Sequence, residues 1–325
     1  MRQVFEPAAS RAGARGPTAT TRGLVDPAAA RSGFELVRLD PAPDLADLVE
    51  RHWVVRWDLP PGTEFTQVVI PHPNANVVAE ADGFAVHGIP GGLFARTLQG
   101  SGAVLGTKLR PGALRVLAGG PGALRPGLVL PAAAALPGSR GPSGPDVERA
   151  GRRAAAAARA GDDLGAVAAV TPVLREAATA RRTPRAGLAL DRVARVLGAV
   201  VAGELGPDAG VADLAALVGT TPRSLQRLFA GWVGVSPKWV LQRHRVHLAA
   251  ELLAADPGRP LAGLAAAVGY YDQAHLGVDF ARALGTTPAA YARRCAASRA
   301  ALGAAPGPPV DPSLGRAALV TSGRA

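Results

Sequence analysis

Leu214-Ala215-Ala216-Leu217-Val218-Gly219 and, fifty residues later, Leu264-Ala265-Ala266-Ala267-Val268-Gly269 open two copies of one plan. Phe229 follows ten residues after Gly219, and Phe280 eleven after Gly269. In both copies a glycine (Gly234, Gly285) comes five residues after the phenylalanine, and a proline (Pro237, Pro288) three after that. The shared opening alone means little in a chain so rich in alanine. The shared downstream spacing argues for a repeat.

Each copy reads as a helix-turn-helix. A short apolar helix (Val211–Val218, or Leu261–Val268) ends at a glycine, the residue that most easily takes the left-handed conformation at a helix C-terminus. A second helix then begins. Thr221 is the expected N-cap of the first, with Pro222 at the first helical position, where its missing N–H costs nothing. Asp272 is the expected cap of the second. Leu225, Leu228 and Phe229, like Leu276 and Phe280, fall at helical spacing and point to a buried face. Arg223, Gln226 and Arg227, spaced i, i+3, i+4, then share the opposite face.

Arginine can make paired hydrogen bonds to guanine edges and glutamine to adenine when a helix enters the major groove. A merely solvated helix face is the plain alternative for such a trio, and the duplicated setting favours DNA. In the second copy Gln273 is the best base-contacting residue, while His275 reads equally as packed or solvated. Pro237–Ala254 forms the connecting helix, about 27 Å long at ~1.5 Å per residue, ended by Pro257 and Pro260. Trp232 and Trp239 are expected to pack rather than stack on bases.

At these residues the chain resembles the AraC family of bacterial transcription regulators. The matches are L-Q-R-L-F at 225–229, G-Y-Y-D-Q-A-H-L at 269–276, D-F-A-R-x-L-G-x-x-P at 279–288, and Tyr291 with Arg293. The resemblance covers about residues 190–294. It implies two helix-turn-helix units joined by a long helix, each placing its second helix in adjacent major-groove segments of double-stranded DNA. Carried over by position, the base-reading places fall on Arg223, Gln226 and Arg227, then on Gln273, Ala274, Gly277 and Val278. Three of the last four lack hydrogen-bonding side chains, which points that unit toward phosphate or shape recognition. The residues expected at DNA are Thr221, Arg223, Ser224, Gln226 and Arg227 in the first unit, and Tyr271, Asp272, Gln273, His275 and Arg282 in the second.

The formal charge of +11 agrees with a DNA partner, but weakly. Residues 190–295 hold 11 basic and 8 acidic groups, whereas 138–189 hold 9 and 5. No apolar run approaches the ~18–20 residues that span a bilayer. A single cysteine, Cys295, excludes an internal disulfide and fits a reducing cytoplasm, the expected location.

The expected fold is multidomain α+β. Residues 1–33 read as a disordered leader and 296–325 as a disordered tail. Residues 34–137 read as a mainly-β domain, with a helix near Asp44–Val49 and then a strand at Trp53–Trp57. Further strands are expected at Val68–Ile70, Val77–Ala79, Ala85–His87 and Val104–Leu109. I-P-H-P-N-A-N-V-V at 70–78, V-H-G at 86–88 and L-G-T-K-L-R-P-G-A at 105–113 make it similar to a sensor-type N-terminal domain of some AraC regulators. A cupin-like barrel is the expected shape, and an unidentified small-molecule effector the expected ligand. Residues 138–189 read as a helical linker or dimerisation region. Asp146–Ala160 and Leu164–Ala180 are helix-prone but offer little apolar bulk, so they need a partner surface, either the barrel or a second copy of the chain; a floppy basic linker is the plain alternative. Thr183-Pro184-Arg185 is the expected hinge before a helix at Leu190–Val201, and 190–295 the DNA-binding domain.

Three enzyme-like features weigh less. His52, His72 and His87 are scattered rather than spaced as metal ligands. Gly100-x-Gly102-x-x-x-Gly106 lacks the helix that a dinucleotide loop requires. Cys295, as a thiol for alkylation repair, has no histidine beside it. The reading is therefore a regulator with no enzymatic activity and no cofactor; a repair protein using Cys295 and a metal-dependent barrel enzyme are the alternatives.

Overall fold

The structure, a computed structural model, describes residues 33–69, 72–90, 94–120, 124–136 and 143–301. The leader, the tail beyond 301, Ile70 and residues 137–142 lie outside them. Strands β1 (Glu35–Leu39), β2 (Val49–Asp58), β3 (Glu64–Val69), β4 (Asn76–Glu80), β5 (Gly83–His87), β6 (Phe94–Gln99) and β7 (Ser101–Leu109) are followed by helix α1 (Ala113–Ala118). Then come β8 (Val129–Pro131), α2 (Ala132–Ala135), α3 (Gly144–Arg159), α4 (Asp163–Thr179) and α5 (Pro184–Ala202). The C-terminal helices are α6 (Val211–Leu217), α7 (Pro222–Trp232), α8 (Pro237–Ala255), α9 (Leu261–Ala267), α10 (Gln273–Leu284) and α11 (Pro288–Ala301).

The N-terminal half is mainly β, as expected, but not a closed barrel. Six antiparallel strands run in the order β1-β2-β7-β4-β5-β8, with β3 and β6 paired as a separate ribbon. A barrel fills its interior with inward side chains from every strand. Here one sheet face is closed by α3 instead, and β1 and β8 remain opposite edges. On β2, His52, Val54 and Arg56 alternate, the first two fully buried. Arg56 ties the sheet to the helices, its Nε donating to the Ala158 carbonyl at 2.6 Å and its guanidinium pairing with Asp163. The other face carries Trp53 and Trp57, whose rings lie over Gly106 and Gly102. A Cβ at those glycines would sit 2.0 and 2.2 Å from the indoles. The Gly102/Gly106 pair therefore belongs to a strand packed under tryptophan, not to a phosphate loop.

Alanine explains how α3 reaches the sheet. Val147, Ala150, Gly151, Ala154 and Ala158 are buried along one stripe, and a Cβ at Gly151 would lie 2.3 Å from Phe84. Small side chains let the helix backbone approach the strands closely. Of the two surfaces open to the alanine-rich helices, the sheet is the one covered here. α4 returns over α3, and Arg175–Asp44 and Arg182–Asp47, each 2.6 Å, fasten its end to the loop before β2.

Three boundaries differ from expectation. The stretch near Asp44–Val49 is only a 3-10 turn at Pro43–Leu45, because Val49 already pairs with Leu109. Thr183 is a cap rather than a hinge. Its side chain accepts from the Ala186 N–H at 3.1 Å and Pro184 takes the first helical position, so α5 starts six residues before Leu190. α11 runs to Ala301, so residues 296–301 are helical and not part of an unstructured tail.

His52 makes the sheet acid-sensitive. Its Nδ1 lies 2.9 Å from Thr107 Oγ1, and among the described residues Nε2 has no hydrogen-bond partner. Burial pushes the imidazole down from 6.5 to about 4. The unfolded chain thus binds this proton more readily than the folded one, so stability is complete above pH 6.5 and falls as pH drops towards 4. At ~1.4 kcal/mol per pKa unit the full loss is about 3.5 kcal/mol, most of it reached by pH 4.5. Urea titrations at pH 7.5 and 4.5 should show this drop, and His52→Gln should lose most of the pH dependence. The same slope in that variant would reassign it to the carboxylates.

Candidate nucleic-acid interface

The first unit is built around Phe229. That ring, Leu214, Ala215 and Leu225 are fully buried, sharing a core with Val193 and Val196 of α5 and Val240 of α8. The chain turns between α6 and α7 at Gly219, whose φ of +61° favours glycine. Thr221 Oγ1 then accepts from the Ser224 N–H at 3.2 Å and Pro222 occupies the first position, so both expected start signals operate. With Leu225 and Phe229 fixed inward, Arg223, Gln226 and Arg227 emerge exposed on the other side. Ser224 is half-buried, and its hydroxyl lies 3.3 Å from the Arg227 guanidinium.

The second unit repeats this around Phe280, fully buried and edge-to-face with Tyr291 at 5.6 Å between ring centres. Gly269 makes the turn at φ +79°, and Asp272 caps α10 by accepting from the His275 N–H at 2.7 Å. Gln273, Ala274 and Val278 are exposed, and Tyr271 is 97% exposed. His275 is exposed too, but its ring stands edge-on to Tyr270 at 5.1 Å, so part of its surface is committed to packing.

A polar knot under α10 was not apparent from sequence. Asp279 is buried, and its carboxylate accepts from Tyr270 Oη and Gln242 Nε2 at 3.2 Å each and from Arg282 at 3.1 Å. Burial, then the Asp279 carboxylate, pushes the Tyr270 hydroxyl above its ordinary range, so it stays protonated and donates. Arg282, assigned to DNA, is exposed while tethered to this carboxylate. Nearby, buried Arg243 packs its guanidinium over Trp239 at 4.8 Å and donates to the Ala283 carbonyl at 3.4 Å. Trp239 is thus a packing residue. Asp279→Ala would leave Tyr270 and Gln242 without this acceptor and should cost about 1–3 kcal/mol of second-unit stability, readable as a lowered denaturation midpoint. An unchanged midpoint would mean that water substitutes for the carboxylate.

The two units are braced as well as tethered. α8 is 19 residues long, about 28 Å at ~1.5 Å per residue. The loop before α6 touches both this helix and the second unit's turn: Arg245 of α8 donates to the Ala209 carbonyl at 2.9 Å, and a Cβ at Gly269 would fall 1.8 Å from the Pro207 oxygen. The N-terminal domain docks away from the exposed reader side chains. Ile89 enters the first unit's core, and Gly234 lies against the Leu124 carbonyl, where a Cβ would sit 2.2 Å away. Trp232 packs at the same seam.

The enzyme-like residues do not converge. His52 lies on the helix-covered face of the sheet, His72 stacks on His247 of α8 at 4.3 Å, and Cys295 packs against the second unit's core. Among the described residues no three His, Cys, Asp or Glu side chains are placed to hold a metal, and no helix is long and apolar enough to cross a membrane.

Comparison with known proteins divides the chain in the same way. Residues 214–294 match a protein-family model described as a helix-turn-helix domain, and residues 37–124 match one described as a domain of unknown function (DUF6597). No curated protein and no solved structure matches.

Proposed function

We propose, from the premise that this chain carries a C-terminal AraC-type helix-turn-helix domain beside its N-terminal domain of unknown function, how this DNA-binding regulator reads its site. Both reader helices, α7 and α10, enter neighbouring major-groove segments of one duplex. One observation carries the reading: Arg223, Gln226 and Arg227 stand exposed together on a helix whose opposite face is locked by fully buried Leu225 and Phe229. Their rotation about the helix is thereby fixed. In that setting arginine donates twice, to guanine O6 and N7, while glutamine donates to adenine N7 and accepts from its N6–H through Oε1. The α8 tether and the Gly269–Pro207 brace favour simultaneous engagement of both units. Thr221, Ser224, Tyr271, Asp272, Gln273, His275 and Arg282 ring the two faces and take phosphate or base contacts.

The N-terminal domain regulates in this reading, because it meets the first unit away from the reader side chains. An effector there acts only by preferring one docked arrangement over another. Self-association and a cytoplasmic setting belong to the same reading.

The test is selection of binding sites from a randomised duplex library, at fixed salt because phosphate contacts make affinity salt-dependent. Arg227→Ala should weaken binding to the selected site by about 1–3 kcal/mol and relax preference at one base pair. An unchanged preference in that variant would remove Arg227 from the readers. Failure of any sequence to enrich would remove the function.

A further inference from the structure

We infer that the second unit recognises thymine by its methyl group, through an exposed apolar surface on α10 centred on Val278. This rests on the double-unit reading above and gives its weaker half a chemistry. Counting back from the buried phenylalanine of each copy pairs the reader positions. Arg227 and Val278 stand two residues before it, Gln226 and Gly277 three, and Arg223 and Ala274 six. Where the first unit presents a polar trio, the second presents Ala, Gly and Val.

The substitution is not a retreat into the core. Val278 is 55% exposed, and Ala274, one turn earlier, is exposed as well. At ~3.6 residues per turn, Val278 lies roughly 160° around the helix from Phe280, near the middle of the outward face. A Cβ at Gly277 would meet nothing within 4 Å among the described residues, so bare backbone flanks the valine and leaves room for a close approach. A β-branched side chain is a poor helix former, and an outward one buries no core surface. Folding alone gives no reason for valine there. The C5-methyl of thymine is the one apolar group a base pair shows in the major groove, and apolar side chains read it.

Burying one methyl against such a surface corresponds to about a fourfold change in Kd. The experiment uses the full-length protein and its selected duplex, replacing each thymine in turn by deoxyuridine, which removes only the methyl. Fluorescence anisotropy at fixed salt reads Kd. At one or two thymines in the half-site that Arg227→Ala leaves unaltered, uridine should weaken binding about fourfold. That penalty should shrink towards none in Val278→Ala and persist in Val278→Thr, which keeps a γ-methyl. Uridine tolerated throughout that half-site, or an equal penalty in Val278→Ala, would overturn the inference and leave the patch to a protein contact. A selected site with two half-sites, of which only one depends on Arg227, would show that the two-unit reading survives such a failure.

Discussion

Phe280→Ala should unfold the second unit. The ring is fully buried, packs edge-to-face on Tyr291 and anchors Leu264, Leu276 and Leu284 around it. Truncating a core phenylalanine costs about 3–5 kcal/mol, from lost burial and the cavity left behind. That is a large share of the ~5–15 kcal/mol by which domains are usually stable. The expected result is a separate, lower denaturation transition for the second unit, with protease cleavage appearing between residues 256 and 295. The first unit, built on its own phenylalanine, should keep its melting behaviour. A variant that melts as the parent does would mean that the buried face of α10 has been misassigned.

The second large effect comes from comparing twin glycines. Gly219 and Gly269 end the first helix of their units in the same left-handed conformation, at φ +61° and +79°. Their surroundings differ. Among the described residues a Cβ at Gly219 would meet nothing within 4 Å, whereas at Gly269 it would fall 1.8 Å from the Pro207 carbonyl oxygen. Gly219→Ala should therefore cost only the left-handed penalty, about 1–2 kcal/mol. Gly269→Ala adds the displacement of a packed backbone, for roughly 2–5 kcal/mol in all, and pries the loop at Pro207 off the second unit. Chemical denaturation of the two variants side by side gives the comparison. Equal losses would show that the contact with Pro207 does not brace the units.

Much of the DNA module was legible in the residues, because its determinants are local. Caps at Thr221 and Asp272, a glycine at each turn and phenylalanines at helical spacing all act within one or two turns of chain. The outward placement of Arg223, Gln226 and Arg227 follows from them. The sheet was legible only as short strands. Its order depends on pairings such as Val55 with Val104 and Asn76 with Lys108, which no local pattern encodes. The barrel expectation failed there, since alanine-rich helices whose partner was open in the sequence cover one face. The Asp279 knot was hidden for a similar reason. An aspartate beside a phenylalanine reads as solvated until Tyr270 and Gln242, nine and 37 residues away, close on it. Thr183 misled in the opposite sense: the residues that suggested a hinge are those that start a helix.

Ile89 belongs to a loop of the N-terminal half yet sits among Leu214, Leu225 and Phe229. A fragment trimmed to begin at α5 would keep every contact proposed for DNA but open an empty socket behind its first reader helix. Such a fragment should be less robust than the same segment within the intact polypeptide. Whatever loosens that plug acts directly on the core behind Arg223, Gln226 and Arg227, because Ile89 packs there.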